Sequence, residues 1–215
     1  MDRLGPVTPV AMGGFTYLYL FVDLASDFWI SILAKPPANG AQFLAAIQKV
    51  RLYFLKYGHV IKKLRFDAGV IENSALVIDH LSSISIQTDS AAPGAQYQNP
   101  VERHMQTLLK KTTTIIVDQK NLDATCWGLA ALSSTDTRNS CPSPKNANNE
   151  SPIFKVTNVH PDLSRRFKYA FGQSLACLIP SQQQKQQPKF GARAEIGFAV
   201  GSAPGSNGAT LVLFP

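Results

Sequence analysis

The sequence places three acidic residues where a phosphoryl-transfer site could form. Asp2 lies near the start, Asp67 ends a short predicted strand at residues 60–67, and Glu102 lies near the start of a predicted helix. Three carboxylates at one end of a sheet repel one another unless cations lie between them. Two Mg²⁺ ions roughly 3.5–4 Å apart would remove this repulsion and supply phosphoryl-transfer chemistry. The acids therefore predict a divalent-metal site that needs neither a covalent nucleophile nor a histidine.

The stretch at residues 96–119 is predicted to be a polar loop that leads into a helix. Asn99 is a suitable N-cap, and Pro100 suits the first turn, where its missing N–H has no intrahelical partner. Residues at helical spacing then make an apolar face: Val101, Met105, Leu108, Leu109, Thr112 and Ile116. The residues that fall largely off that face are Arg103, Gln106, Lys110 and Lys111. Because an acid in the first turn also suits the helix dipole, this stretch alone leaves a structural role for Glu102 open.

The elements before this helix predict a mixed sheet. An aromatic strand at 17–23 and a second strand at 28–33 are close enough to pair as an antiparallel hairpin. A helix at 41–57, a strand at 60–67, a helix at 73–82 and a strand at 83–88 follow. Asp67 therefore lies at the carboxyl end of a strand, where the crevice of an α/β domain opens. The predicted fold class is α/β, with a mixed sheet flanked by helices.

Composition limits the classes of partner. The chain has 21 basic and 14 acidic residues, and its net charge of +7 fits a polyanionic partner such as DNA. The cysteines, Cys126, Cys141 and Cys177, are far apart, so neither a disulfide framework nor a zinc site is encoded. The sequence shows no signal peptide and no apolar run of membrane-spanning length. We therefore expect a soluble, reduced, intracellular protein without a membrane partner or a small-molecule substrate.

The C-terminal third predicts an appendage to a catalytic domain. Residues 1–132 are assigned to the core, and residues 133–151, rich in Ser, Asn, Thr and Pro, to a flexible connection. Strands are predicted at 174–180, 194–200 and 210–214, with a Gln-rich loop at 181–188. Residues 152–215 are therefore predicted to form a small β-rich extension, for which we expect contact with DNA or with a neighbouring subunit.

Several segments of the sequence together match the motifs of a known family. They are Asp2-x-x-Gly5-Pro6, Tyr-Leu-Tyr-Leu-Phe-Val-Asp-Leu-Ala-Ser at 17–26 with Trp29, Leu-Arg-Phe-Asp-Ala-Gly at 64–69, and Gln-Asn-Pro-Val-Glu-Arg-x-x-x-Thr-Leu at 98–108. These segments resemble the integrase catalytic core of Copia-type retrotransposons, a part of the Pol polyprotein that is similar to retroviral integrases. The resemblance continues through Trp127, Arg138-Asn139, Ser151-Pro152, Pro161-Asp162-Leu163-Ser164, Phe171-Gly172, Lys189 and Gly197-Phe198-x-x-Gly201, so it covers nearly the whole chain.

The resemblance implies a ribonuclease H-like fold and a DNA-integrating enzyme. Asp2, Asp67 and Glu102 would be the catalytic triad and the ligands of Mg²⁺ or Mn²⁺. The enzyme would trim the 3′ end of the element's DNA and join that end to target DNA, as a homo-oligomer acting in the nucleus after a virus-like particle stage. The basic and amide groups beside the acids are the expected DNA contacts: Lys62, Lys63, Arg65, Gln98, Asn99, Arg103, Gln106, Lys110 and Lys111. Contacts of this kind go mainly to phosphates.

The first acid of the triad has an alternative. Asp23 ends an obvious strand and is the simplest choice, but in the family the first catalytic Asp precedes Gly-Pro and the aromatic strand comes next. That order assigns Asp2 to the metal and makes Asp23 a structural acid at a strand end. Glu72, five positions after Asp67, is interpreted as a solvated or helix-starting acid.

The chain departs from the family pattern at several points. Ala68 stands where the family usually has Asn, and Pro100 where it has Gly. The zinc-binding segment and the strand expected to carry Asp2 are missing, so we expect a core with a truncated N-terminal strand. Two alternatives therefore stay open: a nuclease or transposase of the same fold, and a truncated or decayed, catalytically inactive module that still binds nucleic acid.

Overall fold

The computed structural model describes residues 1–66, 74–90, 100–180, 191–203 and 208–214. The strands are β1 (Asp2–Leu4), β2 (Tyr17–Asp23), β3 (Phe28–Ala34), β4 (Lys63–Phe66), β5 (Gln87–Ser90), β6 (Ser174–Leu178), β7 (Ala194–Ser202) and β8 (Thr210–Leu213). The helices are α1 (Gly40–Lys56), α2 (Ala75–Ser83), α3 (Pro100–Asp118), α4 (Trp127–Ser140), α5 (Pro152–Thr157) and α6 (Leu163–Arg166). The predicted order of hairpin, helix, strand, helix, strand and helix is confirmed over this range.

Two sheets meet in the N-terminal half of the molecule. β1, β2 and β3 form an antiparallel sheet in that order, whereas β4 and β5 pair in parallel. The N-terminal ammonium of Met1 donates a hydrogen bond of 2.5 Å to the carbonyl of Arg65. This contact brings the start of β1 beside the end of β4, so the strand that carries Asp2 adjoins the strand that precedes Asp67.

Strand β1 corrects the expectation that no strand carries Asp2. Asp2 is paired with Leu20, and Leu4 with Leu18, in the antiparallel register of β1 and β2. A strand of three residues is too short to show an alternating pattern in the sequence. Its extended conformation depends on pairing with the longer strand β2.

The alternation of side chains along β2 builds a core on each face of the sheet. One face carries Tyr19 and Phe21 and packs against α1 and α2, where the buried partners are Phe43, Ala46, Ile47, Val50, Val77 and Leu81. The other face carries Leu18 and Leu20 and packs against α3 and α4, where the buried partners are Val101, Met105, Leu108, Trp127 and Ala131. A strand buried on both faces reads as a continuous apolar run, which is why residues 17–23 were predictable.

Within the flexible connection predicted at residues 133–151, helix α4 corrects the prediction for residues 133–140. The helix extends through Ser140, and four of the polar residues that suggested a loop are buried within it: Ser134, Thr135, Asn139 and Ser140. Asn139 donates through Nδ2 to the Trp29 carbonyl at 2.7 Å and accepts from the Trp29 N–H at 2.8 Å. These polar side chains therefore hold the helix against β3, and such long-range pairing leaves no helical signal in the sequence. The division of the chain into domains stays a prediction.

The β-rich extension predicted for the C-terminal region contains an antiparallel sheet, ordered β6, β7, β8. Val200 of β7 is buried against Leu122 and Cys126, both of which lie in the segment between α3 and α4. The Gln-rich segment predicted as a loop at 181–188 lies outside the described residues. Of the helices that the structure describes, none combines the length and the apolar character needed to cross a membrane.

Candidate active site

Asp2 lies on the side of the sheet that α3 covers. Its partner in β2 is Leu20, whose side chain packs with Val101 and Met105 of α3. Directly paired residues of antiparallel strands project from the same face, and Leu4, two positions along β1, packs in the same apolar cluster. The Asp2 carboxylate is partly buried and accepts a hydrogen bond of 2.7 Å from the N–H of Arg3.

Glu102 lies in the first turn of α3, next to that same face. Its neighbours Val101 and Met105 are buried, whereas Glu102 itself is partly exposed. The positive end of the helix dipole stabilises a carboxylate in this turn. Because α3 contacts both β1 and β2, the structure brings Asp2 and Glu102 to one side of the sheet.

Asp67 lies outside the described residues, as do Gln98, Asn99 and Glu72. Phe66, the residue before Asp67, ends β4, next to the contact between Arg65 and Met1. Among the residues that the structure describes, no group of three His, Cys, Asp or Glu side chains is arranged to hold a metal ion. The carboxylate oxygens of Asp2 and Glu102 are hard donors of the type that Mg²⁺ accepts, so these two residues fit the metal by donor type. The three-acid site stays a prediction.

Asp23, the alternative first acid, accepts hydrogen bonds within its own turn. Its Oδ2 accepts from the Ser26 N–H at 3.0 Å and from the Ser26 hydroxyl at 2.5 Å. These bonds hold the tight turn between β2 and β3, which is the structural role considered for Asp23. The choice between Asp2 and Asp23 as a metal ligand stays a prediction.

Two of the predicted DNA contacts are already paired with an acid. Arg65 and Lys63 approach the carboxylate of Asp89 at 2.6 and 3.1 Å. The hydrogen bonds from Arg65 and Lys63 hold the pKa of Asp89 below its ordinary value. Sequence reasoning missed Asp89, because its pairing depends on the register that puts it opposite Arg65. A share of the positive charge on β4 is therefore neutralised within the protein.

Helix α3 presents a polar face to solvent, which we call the α3 basic face. It consists of Arg103, Gln106, Lys110 and Lys111, all of which are exposed. Residues 103, 106 and 110 follow the spacing of a single helix face. Lys62, just before β4, is also exposed. These residues are placed where phosphates could reach them, although their role in binding DNA stays a prediction.

A buried carboxylate that sequence reasoning missed lies next to α3. Asp27, in the turn between β2 and β3, is only 1% exposed and has a left-handed φ of 59°. Its carboxylate accepts hydrogen bonds from Arg138, from Ser143 at 2.8 Å and from Lys145 at 3.2 Å. His104 Nε2 lies 3.3 Å from Asp27 Oδ1. We call these residues the Asp27 cluster: Asp27, His104, Arg138, Ser143 and Lys145.

The charge of Asp27 is stabilised by its partners. Burial raises its pKa, but the hydrogen bond from Ser143 and the charges of Arg138 and Lys145 outweigh burial, so the pKa lies below its ordinary value. The partners follow Asp27 by 77 to 118 positions. The Asp27 cluster has no local sequence motif, because its residues come together only in the folded chain.

The stability of the protein is expected to fall in acid partly through Asp27. Because its folded pKa is depressed, the stabilisation is fully present above the unfolded pKa of about 4 and is lost as the pH falls through the folded pKa. In urea unfolding, the stability difference between the natural chain and Asp27→Asn should therefore shrink between about pH 5 and pH 2. A difference that stayed constant over this range would contradict the assignment.

Comparisons with known proteins place the fold. A chain of the simian T-cell lymphotropic virus intasome, determined in complex with PP2A regulatory subunit B56 gamma, is 15% identical, with a TM-score of 0.53 over 99% of this chain and 75% of that chain. The HTLV-2 integrase catalytic core domain, determined in complex with magnesium in a trimeric form, is 16% identical, with a TM-score of 0.50 over 73% of this chain and 95% of that chain. Neither a family model nor a curated protein matches the sequence. The chain thus has the fold of integrase catalytic cores, and the predicted α/β class with a ribonuclease H-like fold is confirmed. The antiparallel strands β1–β3 and the parallel pair β4–β5 are separate hydrogen-bonded sheets in the structure.

Proposed function

We propose that the chain is the catalytic core of a Copia-type retrotransposon integrase, a divalent-metal-dependent polynucleotidyl transferase. The observation that carries the proposal is that β1 and the first turn of α3 bring Asp2 and Glu102 to one side of the sheet. This arrangement occurs in a fold shared with an integrase core determined with magnesium. Asp67 follows the strand that adjoins β1 and is the third acid of the proposed site.

The acids bind and orient the metal ions in this proposal. Bound Mg²⁺ or Mn²⁺ supplies charge stabilisation for the attacking and leaving oxygens of an in-line displacement at phosphorus. Asp2 and Glu102 contribute one ligand from a strand and one from a helix, so each carboxylate is fixed by regular secondary structure.

Two successive reactions follow from this chemistry. A water molecule first trims the 3′ end of the element's DNA, and the freed 3′-hydroxyl then attacks a phosphodiester of target DNA. The α3 basic face holds the DNA by its phosphates beside the acids. We propose a homo-oligomer acting on chromosomal DNA in the nucleus, in line with the trimeric form of the HTLV-2 core domain.

Strand transfer on a labelled duplex with a pre-trimmed 3′ end tests the function. The integrase proposal expects joined products in Mg²⁺ or Mn²⁺ and none after chelation. Cleavage without joined products would instead assign a nuclease of the same fold. The absence of both reactions from a folded chain would overturn the proposal.

A second candidate is an inactive nucleic-acid-binding module. The α3 basic face favours it, because these exposed residues can bind phosphates whether or not the acids hold metal. This candidate expects DNA binding that a chelator does not change and no metal-dependent cleavage, so the same assay with a parallel binding measurement separates the two.

The α3 basic face yields a prediction common to both candidates. Lys110→Gln is expected to weaken binding to duplex DNA for all sequences alike, and to reduce the steepness of log K against log salt concentration by about 1. Lys63→Gln is the matched control, because Lys63 is already paired with Asp89 and should change the slope less. Fluorescence anisotropy over a salt series measures both variants. An equal slope for Lys110→Gln and the natural chain would remove Lys110 from the interface.

A further inference from the structure

His104 is held at both ring nitrogens. Its Nδ1 lies 2.6 Å from the carbonyl oxygen of Pro100, which can only accept, so Nδ1 carries the hydrogen. Its Nε2 lies 3.0 Å from Nζ of Lys145 and 3.3 Å from Oδ1 of Asp27. Lys145 Nζ also donates to Asp27 Oδ1 at 3.2 Å, so Lys145 bridges His104 and Asp27.

The Asp27 carboxylate is in turn fixed to a different part of the chain. Arg138 of α4 and Ser143, which follows that helix, both donate to Oδ2. The Trp29 ring meets His104 edge to face at 5.2 Å, and the Arg138 guanidinium lies 5.5 Å from the centre of the same ring. The buried Asp27 carboxylate therefore connects the β2–β3 turn to α3, to α4 and to the segment after α4.

One hydrogen bond of His104 spans Glu102, the proposed metal ligand on α3. The hydrogen bond between His104 and Pro100 closes over the first turn of α3, and Glu102 lies midway between these two residues. The His104 ring is therefore tied to the backbone of the turn that carries Glu102.

We propose that Asp27 is a positioning residue for Glu102, acting through Lys145 and His104 on the first turn of α3. This inference rests on the proposed function, because it takes Glu102 as a metal ligand. Groups that orient metal ligands typically change activity by about 10–100-fold when they are replaced. Asp27 is therefore expected to affect the rate of strand transfer more than the affinity for DNA.

The experiment compares Asp27→Asn and His104→Ala with the control Asp136→Asn. Asp136 also lies on α4 and pairs with Arg166 at 2.6 Å, an ion pair that does not involve α3. Hydrogen exchange is measured on peptides that cover residues 100–109, and the strand-transfer rate is measured at saturating DNA alongside DNA affinity. We expect faster exchange in residues 100–109 and rates lowered by about 10–100-fold in the two test variants, with DNA affinity unchanged and the control close to the natural chain.

The exchange measurement keeps the inference separate from the proposed function. Unchanged exchange over residues 100–109 in the test variants, or an equal increase in Asp136→Asn, would overturn the role of Asp27. If Asp27→Asn does not fold, His104→Ala decides, because it leaves Asp27 paired with Arg138, Ser143 and Lys145. A natural chain without strand transfer would overturn the proposed function, while the exchange data would still decide whether Asp27 positions this turn.

Discussion

Glu102→Gln is expected to lower metal-dependent strand transfer by about 10²–10³-fold, comparable to the loss of a group that stabilises transition-state charge. Glutamine keeps the size of the side chain but removes the negative charge that binds a divalent cation. Because Glu102 is partly exposed in the first turn of α3, its replacement should leave folding intact. The measurement is joined product per unit time in Mg²⁺, with thermal unfolding as a check on the fold.

Asp23→Asn is the comparison for this prediction, and Asp2→Asn and Asp67→Asn complete the set. We expect Asp2→Asn and Asp67→Asn to lose activity as Glu102→Gln does, and Asp23→Asn to retain part of it, since Asp23 bonds within its own turn. Loss with Asp23→Asn and retention with Asp2→Asn would make Asp23 the first ligand. Full activity of Glu102→Gln would remove Glu102 from the site.

Arg138→Ala is expected to destabilise the fold by about 3–5 kcal/mol, as is typical when one partner of a buried ion pair is removed. Asp27 is 1% exposed, so its carboxylate would stay buried with less compensation. The variant would also lose the contact of the guanidinium with the Trp29 ring. Urea unfolding followed by tryptophan fluorescence measures the change.

Arg166→Ala is the matched control for this measurement. Arg166 makes a two-pronged ion pair with Asp136 at the surface, where the side chains are 32% and 24% exposed. Ion pairs of this type contribute about 0–1 kcal/mol, so the control should lose much less stability. Equal losses of unfolding free energy in the two variants would show that burial does not make the Asp27 ion pair more important for stability than the exposed pair.

The strands and helices with strong periodicity could be predicted from the sequence. Residues 17–22 of β2 form an unbroken apolar run because both faces of the strand are covered, and α3 keeps Val101, Met105 and Leu108 on one side. Asp2 and Glu102 were proposed as site residues because a family resemblance and a predicted helix start pointed to them, and their role stays a prediction. For these strands and helices the signal lies within a few neighbouring residues, whereas the family resemblance extends over nearly the whole chain.

The features that could not be predicted depend on contacts between distant residues. Asn139 and Thr135 make α4 look like a loop in sequence, yet they bond to Trp29 and to Ser31 of β3. Asp27 looks like an ordinary turn residue, although Arg138, which pairs with it, follows 111 positions later. Buried polar side chains that bond to distant residues show no sequence spacing that distinguishes them from polar side chains exposed to solvent.

The pairing of Asn139 with Trp29 also bears on how the protein avoids aggregation. β3 is the outer strand of the β1–β2–β3 order, and an outer strand offers rows of N–H and C=O groups to which another chain can add. The Asn139 side chain occupies both the N–H and the carbonyl of Trp29. One amide thus blocks the hydrophobic stretch Phe28–Ala34 from acting as a template for cross-chain β-pairing at that point.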